Sequence, residues 1–221
     1  MEHWLSYGLS DFLMFSPATY HRLFELHNAA VWPAQIVAVL AALAIVALLL
    51  RPPPWQGRAI TGILAAAWLF VGWAFLLDRY AGIFSAAPWL AGLFLLEAAL
   101  LAWAALAPVP PRFAVTGDAA GRLAVILLVF ALAILPLAGP LNGRPWTGIQ
   151  LFGIAPDPTA AATIALLLCG TGRFRWLLLA IPLLWCAVSG LTLAAMDSPH
   201  ALLLPVFGLL ALAGMWLARR A

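Results

Sequence analysis

The stretch LFLLEAALLAW, residues 93 to 103, sets one carboxyl, Glu97, among ten residues with no charge. An acid in such surroundings needs a reason, because a charged side chain at mid-membrane depth costs at least a few kcal/mol. Its own helix offers nothing at three or four residues: Leu93, Phe94, Leu100 and Leu101 are all apolar. A partner must come from another segment, and the polar groups at similar depth are Ser189, Trp185, Thr163, Trp68 and Trp73. Two chemistries fit such a residue. Glu97 is either a carboxyl that couples to a proton or cation, or a neutral acid that hydrogen-bonds one helix to another.

A second group of side chains gathers at the opposite extreme, beyond the ends of the apolar runs. It comprises His3, His21, His27 and His200, with Glu25, Asp78, Asp157, Asp197, Asn142 and Gln150. Imidazole and carboxylate together suit zinc or copper, but the spacing matches no metal motif and no metal ligands are assigned. His27 falls at the centre of the apolar side of its segment, so it needs a partner, which Asp78, Asp197 or His200 would supply. Asp78-Arg79-Tyr80 reads as an interfacial anchor with a local ion pair, and Asp197-Ser198-Pro199-His200 as a tight turn that caps the following helix. The candidate ligand- or ion-binding residues are therefore Glu97, His27, Asp78, Asp197, His200, Ser189 and Trp185. No serine and histidine share a depth, so no catalytic residue is assigned. The chain has no lysine, which excludes a Schiff base. No histidine lies at mid-depth for a bis-histidine haem. Cys169 and Cys186 form no paired motif and read as small buried hydrophobes.

These residues must be positioned by an unusually oily chain. Of 221 residues, 66% are hydrophobic and 9% charged, against about 25% charged in soluble domains. Most of the solvent must be lipid. Crossing the hydrocarbon takes about 20 apolar residues, and seven candidates appear: Val31 to Leu50, Ala59 to Leu77, Pro88 to Ala107, Leu123 to Ala138, Pro158 to Gly170, Trp176 to Met196, and Ser198 to Ala218. Glu97 lies midway along the third. The fifth covers only about 20 Å, so WTGIQLFGIAPDP, residues 146 to 158, is expected to dip inward and line a recess, since irregular backbone at membrane depth must be covered by protein or water. Arginines sort the connections. Arg51, Arg58, Arg112, Arg122, Arg173, Arg175, Arg219 and Arg220 fall on one side, and Arg22, Arg79 and Arg144 on the other. The positive-inside rule then predicts an N-terminus outside and a C-terminus in the cytosol. The net charge of +3 does not argue for nucleic acid, because these arginines sit at helix ends.

Residues 1–29 read as an external, interfacial segment and 30–221 as the transmembrane domain. In SPATYHRLFELHN, residues 16 to 28, Ser16 is a good cap and Pro17 a good first residue. Tyr20, Leu23, Phe24, Leu26 and His27 share one side, as in an amphipathic helix lying on a membrane surface. WLSYGLSDFLMF before it is a second candidate interfacial element. The start Met1-Glu2-His3 lacks the basic region of a signal peptide, so none is expected. Pro136, Pro182 and Pro205 permit kinks within helices. Trp32, Trp55, Trp89, Trp146 and Trp176 read as interface markers, whereas Trp68 and Trp185 read as deeper.

LSDFLMFSP, YHRLFELHN, VWPAQ and DSPHALLLP resemble a family of bacterial multi-pass membrane proteins catalogued only as a domain of unknown function. The likeness runs nearly end to end. It implies a bacterial inner-membrane location and brings no activity, cofactor or catalytic residue.

An all-α polytopic bundle with a buried carboxyl, a short broken crossing and helix prolines points to a small-solute or ion transporter or channel. The alternatives are a non-catalytic membrane subunit with a membrane-protein partner, and a metal- or redox-cofactor-binding membrane protein. The cofactor is unknown. The partners expected are the lipid bilayer and a small solute or ion.

Overall fold

The computed structural model describes residues 15–172 and 174–217. The expected interfacial stretch before Phe15 lies outside them, as do His3, Arg173, Arg219 and Arg220.

The chain is mostly helical. Helix α1 (Pro17–Ala30) starts as expected: Ser16 caps it, its hydroxyl accepting from the Thr19 N–H, and Pro17 opens the first turn. After the turn at residues 31–33, α2 (Ala34–Leu50) runs off at 92° to α1. Arg51 and the prolines behind it stop α2. Helix α3 (Gln56–Phe70) continues without a break into a π-helical stretch, Val71–Leu77. Helix α4 (Ala87–Leu106) carries Pro88 in its first turn and Glu97 at its centre. A two-residue strand, β1 (Arg112–Phe113), precedes α5 (Ala119–Val129), which passes through π-helical Phe130–Ile134 into α6 (Leu135–Leu141). Asp118 caps α5. The Thr116 hydroxyl and the Gly121 N–H bonded to that carboxylate hold it below the usual range. Helix α7 (Pro156–Cys169) leads directly into β2 (Gly170–Thr171), which pairs antiparallel with β1. Helices α8 (Arg175–Ala195) and α9 (Leu203–Leu217) complete the fold.

Among the described residues, four helical stretches are long and apolar enough to cross a membrane: Gln56–Gly82, Ala87–Leu106, Ala119–Leu141 and Arg175–Ala195. The α1–α2 pair passes only as a bent unit, and α7 and α9 are shorter apolar helices. The exterior is itself apolar, with Val37, Leu40, Leu43, Ile126 and Leu209 among the exposed side chains. A chain folded in water would hide these groups, so their exposure on long helices fits contact with lipid. Trp32, Trp55, Trp89 and Trp146 are exposed, Trp176 less so, and Trp68 and Trp185 are buried, as the aromatic pattern predicts.

The expected helix starts need two corrections. Pro156, not Pro158, opens α7, so Asp157 belongs to its first turn. Ser198-Pro199 does not cap α9, because residues 197–202 form turns and the helix begins at Leu203. Asp197, just after the end of α8, takes a left-handed φ of +53°. Gly190 on α8 faces Pro205 so closely that a Cβ would sit 2.4 Å from its ring. Only a glycine lets α9 pack there.

Helix α7 is the centre of the molecule. Each of its residues is buried, with α8, α5, α9 and α3 packed around it. At 14 residues it rises only about 21 Å. The backbone leading into it, residues 149–155, is irregular and enters the protein, with Phe152, Ile154 and Ala155 buried. That segment is held by specific bonds. Asn28 Nδ2 donates to the carbonyls of Thr147 and Ile149, and the Gly153 N–H donates to Thr159 Oγ1. Gly153 takes a φ of +74°, a left-handed conformation suited to glycine.

Candidate functional site

A proline on either side of Asp157 and the apolar run after it place this carboxyl in the first turn of α7. There the unpaired N–H groups of a helix start favour negative charge. Asp157 is buried, and α8 completes its environment. Trp185 and Ser189, four residues apart, share a helical face. The Trp185 indole N–H donates to Asp157 Oδ1 at 2.8 Å, and the Ser189 hydroxyl donates to Oδ2 at 3.1 Å. Each oxygen thus has one donor and keeps acceptor capacity to spare.

In front of Asp157 lies a recess of about 60 Å³, room for a few water molecules or a small polar solute. Its polar lining comes from separate parts of the chain: Tyr20 of α1, Arg144 and Gln150 of the α6–α7 connection, Asp157, and His200 before α9. This is the recess expected beside residues 146–158. Burial pushes the Tyr20 phenol well above its usual range. Asp157 adds to that shift and Arg144 opposes it, so the phenol senses both charges. Burial also draws Arg144 below the usual guanidinium range. Among the described residues the Arg144 guanidinium has no hydrogen bond or ion pair, the two ion pairs being Arg22–Glu25 and Arg79–Asp78.

The candidates read from sequence divide sharply. Ser189, Trp185 and His200 belong to this site. Trp185 and Ser189 serve Asp157, not Glu97. Trp68 and Thr163 are also engaged: the Trp68 indole N–H donates to Thr163 Oγ1 at 2.9 Å, and Thr163 donates to the Thr159 carbonyl. Trp73 is exposed. Glu97 is therefore fully buried with neither oxygen hydrogen-bonded, one turn from Phe94, whose ring packs on both Trp68 and Trp185.

His27 is likewise fully buried with no hydrogen bond at either nitrogen. Its ring lies edge-on against Phe75 at 5.2 Å. Burial lowers its pKa to about 4, while the approach of the Ile154 backbone works the other way without forming a hydrogen bond. None of the expected partners reaches it. Asp78 is exposed and paired with Arg79 at 3.0 Å, Asp197 is exposed at its turn, and His200 lines the recess. The histidines and acids thus do not converge. Among the described residues no group of three or more His, Cys, Asp or Glu is placed to hold a metal ion. Nor is the apolar side of α1 free for a partner, since Tyr20, Leu23, Phe24 and His27 are buried against the bundle.

The family model described as "Family of unknown function (DUF6064)" matches residues 18–221. The chain belongs to this family. No curated protein and no solved structure matches it. Membership thus brings no site residue of its own, and the matched span contains the whole Asp157 recess as well as Glu97.

Asp157, Tyr20 and Arg144 carry the site, and none was singled out as a binding residue from sequence. For Asp157 a signal existed: an acid beside a helix-opening proline, ahead of an apolar run, marks a first turn. For Tyr20 and Arg144 no local signal exists, because their meeting depends on how α1 crosses the bundle.

Proposed function

We propose that the chain is a bacterial inner-membrane protein of the transporter or channel class that handles a small solute or ion at the Asp157 recess. In this reading α2, α3 with its π-helical extension, α4, α5–α6, α7, α8 and α9 are the seven crossings. Helix α1 lies in the outer interface, with the N-terminus outside and the C-terminus in the cytosol. The arginine distribution, eight against three, supports that orientation.

One observation carries the functional part: a short helix, enclosed on all sides, presents a buried carboxyl to a recess where irregular backbone enters the protein. Discontinuous helices of this kind place polar groups at mid-membrane depth without exposing backbone to lipid. Asp157 is the solute-facing acid. Glu97, deeper and without a partner, is the second, ion-carrying carboxyl. The π-helical stretches in α3 and between α5 and α6 supply flexible points beside both, since such bulges recur at functional sites.

The test is proton movement in proteoliposomes containing a trapped pH-sensitive dye, driven by a potassium diffusion potential. Protein-dependent flux that falls at least about tenfold in both Asp157→Asn and Glu97→Gln is the expected result. Flux equal to that of protein-free liposomes, or undiminished in both variants, contradicts the reading.

A further inference from the structure

The recess is lined by a carboxyl and a guanidinium that are not paired with each other. Asp157 and Arg144 both line it, yet no ion pair joins them, and Asp157 takes its hydrogen bonds from Trp185 and Ser189. Tyr20 lines the same recess. Arg144 is half-exposed and, among the described residues, keeps its guanidinium donors free for a solute, with no bond to the carboxyl that lines the same recess. Gln150 and His200 also line the cavity, and Leu135, Pro136, Leu203 and Leu204 give it apolar walls.

We infer that the recess binds a small zwitterion bearing an ammonium and a carboxylate, with the ammonium at Asp157 and the carboxylate at Arg144. The inference rests on the reading of this recess as the solute site. Asp157 is a suitable ammonium acceptor because each oxygen keeps a lone pair free after serving Trp185 or Ser189. Arg144 offers a planar fork of donors that matches a carboxylate in two parallel hydrogen bonds. The Tyr20 hydroxyl, kept protonated by burial, is a neutral donor in the same recess. A simple anion would satisfy Arg144 but face Asp157 across the cavity, and a simple cation would meet the reverse conflict. A molecule carrying both charges satisfies each end. The size of the recess restricts it to a compound with few heavy atoms.

Radiolabelled glycine is the probe, bound to the full chain in detergent. Saturable glycine binding is expected, with acetate and methylammonium each competing at least about tenfold less well than unlabelled glycine, because each meets one charge only. Arg144→Gln and Asp157→Asn should each weaken binding at least about tenfold, and Arg144→Lys should recover part of the loss. Arg144 is only half-buried, so its variants fold even where Asp157→Asn does not, and circular dichroism checks this. Absence of saturable glycine binding, as from a recess that holds only water, overturns the inference. So does binding that Arg144→Gln leaves unchanged, or acetate competing as well as glycine. Proton flux in proteoliposomes reads separately. Flux without glycine binding overturns the zwitterion and leaves the transporter reading standing; glycine binding without flux does the opposite.

Discussion

Asp157 and Glu97 are both acids inside an apolar helix bundle, and they are treated in opposite ways. Asp157 sits at a helix start, accepts from two donors on α8 and faces a recess. Glu97 sits mid-helix, with both oxygens buried and unbonded. His27, edge-on against Phe75, shares Glu97's condition. The lesson is that burial alone does not identify a working polar group. Partners and access distinguish a carboxyl held ready for a solute from one left without any partner, and in the proposed reading they give the two acids different roles.

The contrast makes stability predictions of opposite sign. The largest is for Asp157→Ala, which takes the acceptor from the buried Trp185 N–H and Ser189 hydroxyl. It should destabilise the protein by about 3–4 kcal/mol, read as a fall in the unfolding midpoint in detergent. A midpoint that does not move would mean that the two donors find other acceptors.

Next is His27, through pH. Its folded pKa of about 4 lies below the unfolded value of about 6.5. Between these values the unfolded chain binds the proton and the folded chain does not, so stability is full above pH 6.5 and lost as pH falls toward 4. The loss should approach about 3 kcal/mol. His27→Phe, which suits the aromatic surroundings of Phe75 and Phe24, should remove it. Unfolding midpoints for both proteins across pH 4–7 check this, and parallel curves would show that His27 contributes nothing.

Glu97→Met comes third and carries the reversed sign. Replacing an unpartnered acid by an apolar side chain of similar shape should stabilise the fold by about 1–2 kcal/mol, while removing the ion-carrying group. A more stable protein without flux is the outcome that most sharply separates Glu97 from Asp157. Clear destabilisation would reveal a partner for the acid. The smallest effect belongs to Ser189→Ala, about 1 kcal/mol, since Asp157 keeps its shorter bond to Trp185.

Much of the fold was legible in the sequence, and the site much less so. The long apolar helices over the runs from Ala59, Pro88 and Trp176 are readable because apolar runs bounded by proline, arginine and capping residues leave few alternatives. Ser16-Pro17 announced α1 equally well. Helix α7 was partly legible. The sequence marks it as short and its approach as covered, but an expected start at Pro158 leaves out Asp157, which the observed start at Pro156 includes. The partners of Glu97 were misread for a different reason. Matching depth along two helices says which side chains share a level, not which helix faces turn toward each other. Trp185 and Ser189 have the right level for Glu97, yet α8 turns that face to α7. The π-helical stretches have no local signature, because they follow from how α3 and α5 pack and not from any residue within them.

The most direct test of the central claim, a bundle threaded through a membrane with the Asp157 recess and the arginine-rich rim on opposite sides, is cysteine labelling in intact cells. With Cys169 and Cys186 replaced by alanine, single cysteines at Gln150 or His200 report on the recess, and single cysteines at Pro110 or Thr171 report on the β1–β2 end. A membrane-impermeant maleimide should label the first pair from outside and reach the second only after the cells are opened. Labelling of both pairs from the same side would contradict the topology, and with it the outward-facing solute site.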